Sequence, residues 1–124
     1  MSASAMGEVR VEIAVVNPVT GARSGPIVAL VDPGATLTMI PAEVLHRLGI
    51  GTTPSISLVL ADGRRVNRDT GHAMVVVEGD AVPCRVVFGM PGDAALLGLT
   101  VLEQAGLAVD PVPRRLLPAD VLLY

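Results

Sequence analysis

Aromatic residues are nearly absent from this chain of 124 residues, which has one Phe, one Tyr and no Trp. Bases of single-stranded nucleic acid therefore find no stacking platform, and no run of Lys or Arg is present to neutralise phosphates. Together with a formal net charge of −3, this composition argues against nucleic acid as a partner. Since hydrophobic residues still make up 51% of the chain, the core must be built from Val, Leu, Ile and Ala.

Cysteine is almost missing as well. Cys84 is the only one, so no disulfide can form within the chain, and this suits a reducing cytoplasm. Cys84 lies in the strand-like run 82–88 without a histidine motif, so a small strand residue is a better interpretation than a nucleophile. His46 and His72 are isolated, and no metal-ligand spacing links them to Cys84. We therefore expect no metal and no cofactor.

Long hydrophobic runs are missing too. None reaches the length of a transmembrane helix, and residues 1–6 lack the charged start and apolar centre of a signal peptide. We expect a cytoplasmic protein with no membrane partner. The length fits one domain, which we place at residues 8–118. A flexible tail at 1–7 precedes this domain, and an apolar C-terminal tail at 119–124 is expected to pack on a neighbouring chain.

The most informative stretch that is present is IVALVDPGAT at 27–36. Its five leading apolar residues predict a fully buried strand, which stops at Asp32. A carboxylate in this place is poorly solvated and needs a partner nearby. Gly34 permits a tight turn and a close backbone approach, while Ala35 and Thr36 leave room above the carboxylate. Asp-Pro-Gly is also an ordinary turn sequence, so this stretch by itself leaves a plain turn open.

The rest of the chain has the pattern of a mainly β protein with one or two short helices. Pro41 fits the first position of a helix that ends before Gly49. Thr100 and Glu103 have the spacing of a capping box at the start of a second helix. Strands are expected at 8–16, 27–31, 37–40, 55–61, 64–70, 71–78, 81–88 and 107–110, and an apolar, irregular segment at 116–124.

Asp62 and Gly63 give a strong hairpin signal. They join an alternating strand that ends at Ala61 to a polar return strand at 64–70. Because one arm is apolar and the other is polar, the hairpin is expected to stand partly off the body of the protein. From the pattern alone, a plain surface hairpin stays open as an interpretation.

Two motifs together resemble the retropepsin-like aspartic proteases, in particular their small bacterial single-domain members. The first is the loop from Asp32 to Thr36, with its Asp-x-Gly-Ala-Thr pattern, followed by an apolar strand and Pro41. The second is Ala-Leu-Leu-Gly at 95–98, leading into a short helix. In this order the resemblance covers most of residues 8–118. It implies a closed β-barrel, equivalent to one half of an acid protease, with one or two short helices.

The resemblance also implies an activity, namely an aspartic endopeptidase without metal or cofactor. One carboxylate cannot be base and acid at once, whereas two that share a proton can. Asp32 would therefore pair with Asp32 of a second chain in a homodimer and activate a water. Leu97 and Gly98 would pack behind the loop. In the family, the hairpin at this place in the chain is a flap that closes over the substrate. The peptide or protein substrate would contact the cleft floor and this flap, at Gly34, Ala35, Thr36, Ala61, Asp62 and Gly63.

The chain departs from the family pattern at Pro33. The family normally has Thr or Ser there, and the hydroxyl makes reciprocal hydrogen bonds across the dimer axis. Pro33 has neither a hydroxyl nor a backbone N–H, so it cannot make these bonds. This departure favours an alternative, a weak or inactive dimeric module of the same fold that binds peptide or protein. A third interpretation is a small β-barrel interaction domain unrelated to proteases.

Overall fold

Strands dominate the computed structural model, which describes residues 8–60, 62–110 and 115–120. Two short helices are present in this part of the chain, α1 (Ala42–Arg47) and α2 (Leu99–Ala105). The strands are β1 (Arg10–Val16), β2 (Ile27–Asp32), β3 (Thr38–Pro41), β4 (Thr53–Val59), β5 (Arg65–Val77), β6 (Asp80–Gly89), β7 (Leu96–Gly98), β8 (Leu107–Asp110) and β9 (Arg115–Pro118).

The strands of the main sheet close on themselves. Their order is β1-β2-β7-β3-β6-β5-β4. Because β1 also pairs with β5, all of these strands except β4 form a closed ring. β4 lies outside the ring and pairs with β5 alone. The β2–β7 and β3–β6 pairs are parallel, and the other pairs are antiparallel. This arrangement confirms the expected mainly β, closed architecture.

The interior of the ring is aliphatic, as the composition predicts. Among the described residues, Phe88 is the one aromatic residue in this core, and it is 3% exposed. Each buried Val, Leu or Ile side chain contributes about 1.5–3 kcal/mol by leaving water. The largest fully buried hydrophobic side chains come from five strands, both helices and the residue before β1: Val9, Val15, Ile40, Leu45, Val75, Val77, Val86, Val87, Leu97 and Val101.

Two strand predictions need correction. β2 is not fully buried, because its side chains alternate, and Val28 is 61% exposed on the outer face. The strands predicted at 64–70 and 71–78 are one strand, β5, whose outer half belongs to the hairpin and whose inner half belongs to the ring. Gly71 does not interrupt it. A Cβ there would lie 2.8 Å from the Gly51 carbonyl oxygen, so the glycine reflects close packing.

The helix starts also differ from expectation. Pro41 is the last residue of β3 and the N-cap of α1, so the helix begins one residue later than predicted, at Ala42. Gly49 lies just past the end of the helix with φ +74°, as expected. The capping box is wrong, because α2 begins at Leu99 with Gly98 as its N-cap and without a side-chain cap. Thr100 is already inside the helix, and its hydroxyl has another partner.

The C-terminal part was expected to be irregular, but β9 occupies Arg115–Pro118 and pairs with β8. Ala119 N–H then donates a hydrogen bond to the carbonyl oxygen of Gly106. The predicted tail at 1–7 and residues 121–124 of the C-terminal tail lie outside the described residues. Neither described helix has the length and apolar composition that crossing a bilayer requires.

Candidate active site

The Asp32 carboxylate is held by the loop that follows it. Asp32 is the last residue of β2 and is half-buried. Gly34 N–H donates to Asp32 Oδ1 at 3.0 Å, and Ala35 N–H donates to the Asp32 carbonyl oxygen at 3.0 Å. A Cβ on Gly34 would lie 3.2 Å from the same Oδ1, which is tighter than ordinary contact. The glycine therefore lets the backbone approach the carboxylate, as the sequence indicated.

β7 supports this loop from behind. It runs parallel to β2, with Val31 opposite Leu97 and Asp32 opposite Gly98. Leu97 is fully buried. A Cβ on Gly98 would lie 2.4 Å from the Leu37 carbonyl oxygen, a separation that real Cβ atoms do not show. Only glycine fits at this position, because the backbone of the Asp32 loop passes directly over it.

The first turn of α2 fastens the far side of the loop. Leu99 N–H donates to the Ala35 carbonyl oxygen at 2.7 Å. The Thr36 carbonyl oxygen accepts two hydrogen bonds from Thr100, one from its N–H at 3.1 Å and one from its hydroxyl at 2.8 Å. The Thr100 side chain therefore holds the loop rather than capping its own helix. Sequence reasoning missed this role.

A second threonine that sequence reasoning missed lies beneath the loop. Thr38 is 1% exposed, and its hydroxyl accepts a hydrogen bond from Gly98 N–H at 2.9 Å. A buried hydroxyl without a partner is costly, so a Thr inside the apolar run 37–40 was a signal that such a partner exists. Through these two threonines, residues 98–100 are hydrogen-bonded to residues 36–38 at two points.

The predicted hairpin is present and consists of β4 and β5. Its turn is closed by hydrogen bonds from Leu60 N–H to the Arg64 carbonyl oxygen and from Gly63 N–H to the Leu60 carbonyl oxygen. Gly63 has φ +87°, a conformation that favours glycine. Ala61 lies outside the described residues. Within the described residues no hydrogen bond joins this turn to the Asp32 loop, so the hairpin and the loop are separate parts of the candidate site.

Asp62 shapes this turn. Its Oδ1 accepts a hydrogen bond from Arg64 N–H at 3.0 Å, and its Oδ2 accepts one from Arg64 Nε at 2.7 Å. The bond from the Arg64 N–H, followed by the bond from its guanidinium, lowers the pKa of Asp62 below its usual value. Asp62 is exposed, and its two hydrogen bonds fit the hairpin signal that Asp62 and Gly63 give in the sequence.

Cys84, the one cysteine, takes no part in the hydrogen bonds described above for the Asp32 loop. Cys84 is half-buried in β6, and burial raises the pKa of its thiol to about 11, so the thiolate is scarce at neutral pH. The predicted structural role for Cys84 fits this environment. Among the described residues, no three His, Cys, Asp or Glu side chains are grouped so that they could hold a metal ion.

Comparison with known proteins relates the chain to one protein family and to solved structures of similar fold. A family model described as "gag-polyprotein putative aspartyl protease" matches residues 19–104, which is more than half of the chain and includes the Asp32 loop, the hairpin and β7. The EIAV protease, solved in complex with the inhibitor HBY-793, is similar in structure with a TM-score of 0.58 and 14% identity. That alignment covers 99% of this chain and 100% of the viral one.

The protease of Simian Foamy Virus (mac) gives a TM-score of 0.53 at 21% identity, over 77% of this chain and 93% of that chain. At such identities, these two likenesses show the fold alone, and they confirm the retropepsin-like architecture. No curated protein matches the sequence.

Proposed function

Because the chain belongs to the gag-polyprotein aspartyl protease family, we propose that it is an aspartic endopeptidase whose active site forms between two chains. The observation that supports this most directly is the Asp32 carboxylate, oriented by Gly34 N–H in a loop that β7 and α2 hold in place. A carboxylate fixed in this way can accept a proton from a water and direct the water at a peptide carbonyl.

Two chains are needed because the chemistry needs two carboxylates. One must be ionised to act as base while the other is protonated to act as acid, and close like charges separate their pKa values in this way. The sequence contains one Asp-x-Gly-Ala-Thr loop. A two-fold axis that passes between two Asp32 loops supplies the second copy, giving one site per homodimer. The tail at 119–124 would contribute to the interface.

The substrate is proposed to be an extended peptide. Gly34, Ala35 and Thr36 would form the floor of the cleft, and the turn at 61–63 would cover the peptide. An extended backbone can pair with these segments as an added strand. Leu97 and Gly98 would act indirectly, by holding the Asp32 loop in position.

The test is peptide hydrolysis measured against protein concentration and pH. We incubate the protein with a mixed peptide library and identify cleavage products by mass spectrometry. Specific activity should rise with concentration until the dimer is saturated. It should also show a bell-shaped pH profile on the acid side of neutrality, because the pair must hold one proton. Specific activity that is independent of protein concentration down to concentrations at which the protein is monomeric would contradict a site shared between two chains. Peptide binding without cleavage would favour the non-hydrolytic binding module.

That alternative, a dimeric module that binds peptide without hydrolysing it, is favoured by Pro33. Pro33 is exposed in the turn directly after Asp32. Without a hydroxyl it cannot hydrogen-bond across a two-fold axis, so a dimer would rely on apolar packing at this point. A loosely fixed pair of loops would hold the two carboxylates in a less reactive geometry, since catalysis is sensitive to misplacement of about 1 Å.

Pro33→Thr is therefore expected to increase peptidase activity, by roughly tenfold at subsaturating protein concentration. The new hydroxyl would restore a hydrogen bond across the axis and strengthen the dimer. Sedimentation and peptide hydrolysis are measured on the same samples. Pro33→Ala serves as the control, because it also releases the proline ring but adds no hydroxyl. Equal activity in Pro33→Thr and the parent protein would mean that Pro33 does not limit catalysis.

A further inference from the structure

The hairpin has two different faces. Ile56, Leu58, Val66 and Arg68 are half-buried on one face, with Ile56 opposite Arg68 and Leu58 opposite Val66 in the register; we call this the inner face. The residues that alternate with them are exposed: Ser55, Ser57, Val59, Arg65, Asn67 and Asp69. Arg68 is thus a charged residue on a face that is otherwise apolar, and it needs a partner there.

The partner of Arg68 is Asp93, in the loop between β6 and β7. Arg68 Nε donates to Asp93 Oδ2 at 3.1 Å, and the two side chains are 17% and 21% exposed. In each of the other three ion pairs of the described residues, at least one side chain is 60% exposed or more. An exposed pair contributes little, whereas removing one partner of a shielded pair leaves a charge that water solvates poorly.

Asp93 also fixes the shape of its own loop. Its Oδ2 accepts a hydrogen bond from Met90 N–H at 2.8 Å, while its N–H donates to the Met90 carbonyl oxygen at 2.9 Å. The same carboxylate oxygen therefore closes the turn at 90–93 and receives the Arg68 guanidinium. Movement of this turn and movement of the hairpin arm are coupled through one atom.

The turn at 90–93 leads directly to the candidate active site. Ala95, two residues further on, accepts a hydrogen bond from Leu30 N–H at 2.9 Å. β7 begins at the next residue and runs behind Asp32. The Arg68–Asp93 pair consequently ties the arm of the hairpin to the segment that supports the Asp32 loop.

We propose that Arg68 and Asp93 are positioning residues, which clamp the flap to the turn at 90–93. Through this clamp they set the affinity of the cleft for an extended peptide. The proposal rests on the endopeptidase function proposed above. Neither residue contacts the reacting atoms. The pair acts by holding the hairpin in one position relative to the Asp32 loop, so that the inner face of the hairpin contacts the bound peptide.

The charge state of Asp93 suits such a clamp. Partial burial by itself raises the pKa of Asp93, but the hydrogen bonds from Arg68 and Met90 N–H and the nearby charge of Arg64 outweigh it. The pKa therefore lies below the ordinary value of 3.8. A carboxyl with a lowered pKa keeps its ion pair above that value and loses it only as the pH falls through the lowered pKa. The clamp thus stays closed at the mildly acidic pH at which a carboxylate pair works.

The test combines hydrogen exchange with steady-state kinetics on Asp93→Asn, Arg68→Gln and the double variant. Amide exchange of peptides from 53–68 should become about tenfold faster in each single variant, with α1 and β6 unchanged. The double variant should exchange no faster than either single one, because both substitutions remove the same interaction. Glu43→Gln, which breaks the exposed Glu43–Arg47 pair on α1, is the matched control and should leave the hairpin unchanged.

Kinetics then separate a positioning role from a merely structural one. In the variants, KM for peptide should rise by about fivefold while kcat stays within about twofold, since the clamp affects peptide binding rather than the hydrolysis step. Unchanged exchange of the hairpin would overturn the proposal, and so would faster exchange with unchanged KM. If the parent protein binds peptides but cleaves none, the endopeptidase function fails by itself. The clamp is then judged on the peptide Kd, and an unchanged Kd in both variants would overturn it.

Discussion

Asp32→Asn is expected to reduce peptide hydrolysis by at least about 10³-fold, because it removes the group proposed to act as general base and acid. The fold should be unaffected. An asparagine oxygen can still accept the hydrogen bond that Gly34 N–H donates to Asp32 Oδ1. In a homodimer of the variant both carboxylates of the close pair are replaced, which removes any repulsion between like charges, so the dimer should be no weaker. Hydrolysis, thermal unfolding and sedimentation of the purified variant measure the three effects.

Mixing the variant with the parent protein tests whether the site is shared. With equal amounts and free subunit exchange, about a quarter of the dimers carry two intact Asp32 residues. Activity should then fall to about half of that of the same amount of parent protein alone. A site contained within one chain would keep its full activity in the mixture. Glu43→Gln chains, which keep Asp32, are the control and should not reduce activity when added.

Gly98→Ala should cause the largest loss of stability of any single-methyl change at this site. The added Cβ would lie 2.4 Å from the Leu37 carbonyl oxygen and 2.9 Å from the Ala35 carbonyl oxygen, both of them backbone atoms that cannot rotate away. Overpacking of this severity costs about 3 kcal/mol or more, which corresponds to a fall in Tm of roughly 10 °C for a domain of this size. Thermal unfolding followed by circular dichroism measures the change.

Gly25→Ala is the matched control for that substitution. Gly25 lies in the loop between β1 and β2, and a Cβ there meets no atom within 4 Å. Its Tm should change by no more than about 2 °C. If Gly98→Ala were as stable as Gly25→Ala, the close passage of the Asp32 loop over β7 would be wrong. Activity per folded molecule should also fall in Gly98→Ala, because the clash displaces the backbone of the Asp32 loop.

Local chemistry explains which parts of the fold could be predicted. The apolar run before Asp32, the proline and glycine around α1 and the Asp-Gly turn each act within a few residues, and each element lies close to its predicted place. The same holds for the glycine next to Asp32, whose close approach to the carboxylate depends on neighbouring backbone alone. These features need no knowledge of distant parts of the chain.

The predictions that were wrong concern features that depend on residues far apart in the sequence. The spacing of Thr100 and Glu103 fits a capping box, but Thr100 binds Thr36, which is 64 positions away in the sequence. No local pattern could distinguish the two outcomes. The continuity of β5 through Gly71 likewise depends on its pairing with β6, where Gly71 lies opposite Val86. The inclusion of residues 115–118 in β9 depends on pairing with β8. The Arg68–Asp93 pair was invisible for the same reason.

The position of β7 between β2 and β3 has a consequence for how the protein acquires its structure. The hairpins β4–β5 and β5–β6 join neighbours in the chain and can form early, since closing a short loop loses little entropy. The Asp32 loop cannot be completed until residues 96–100 have reached it from far along the chain. We therefore expect the β4–β5 hairpin to form before the Asp32 loop is complete, and a nascent chain still lacking β7 would hold Asp32 without the support of that strand.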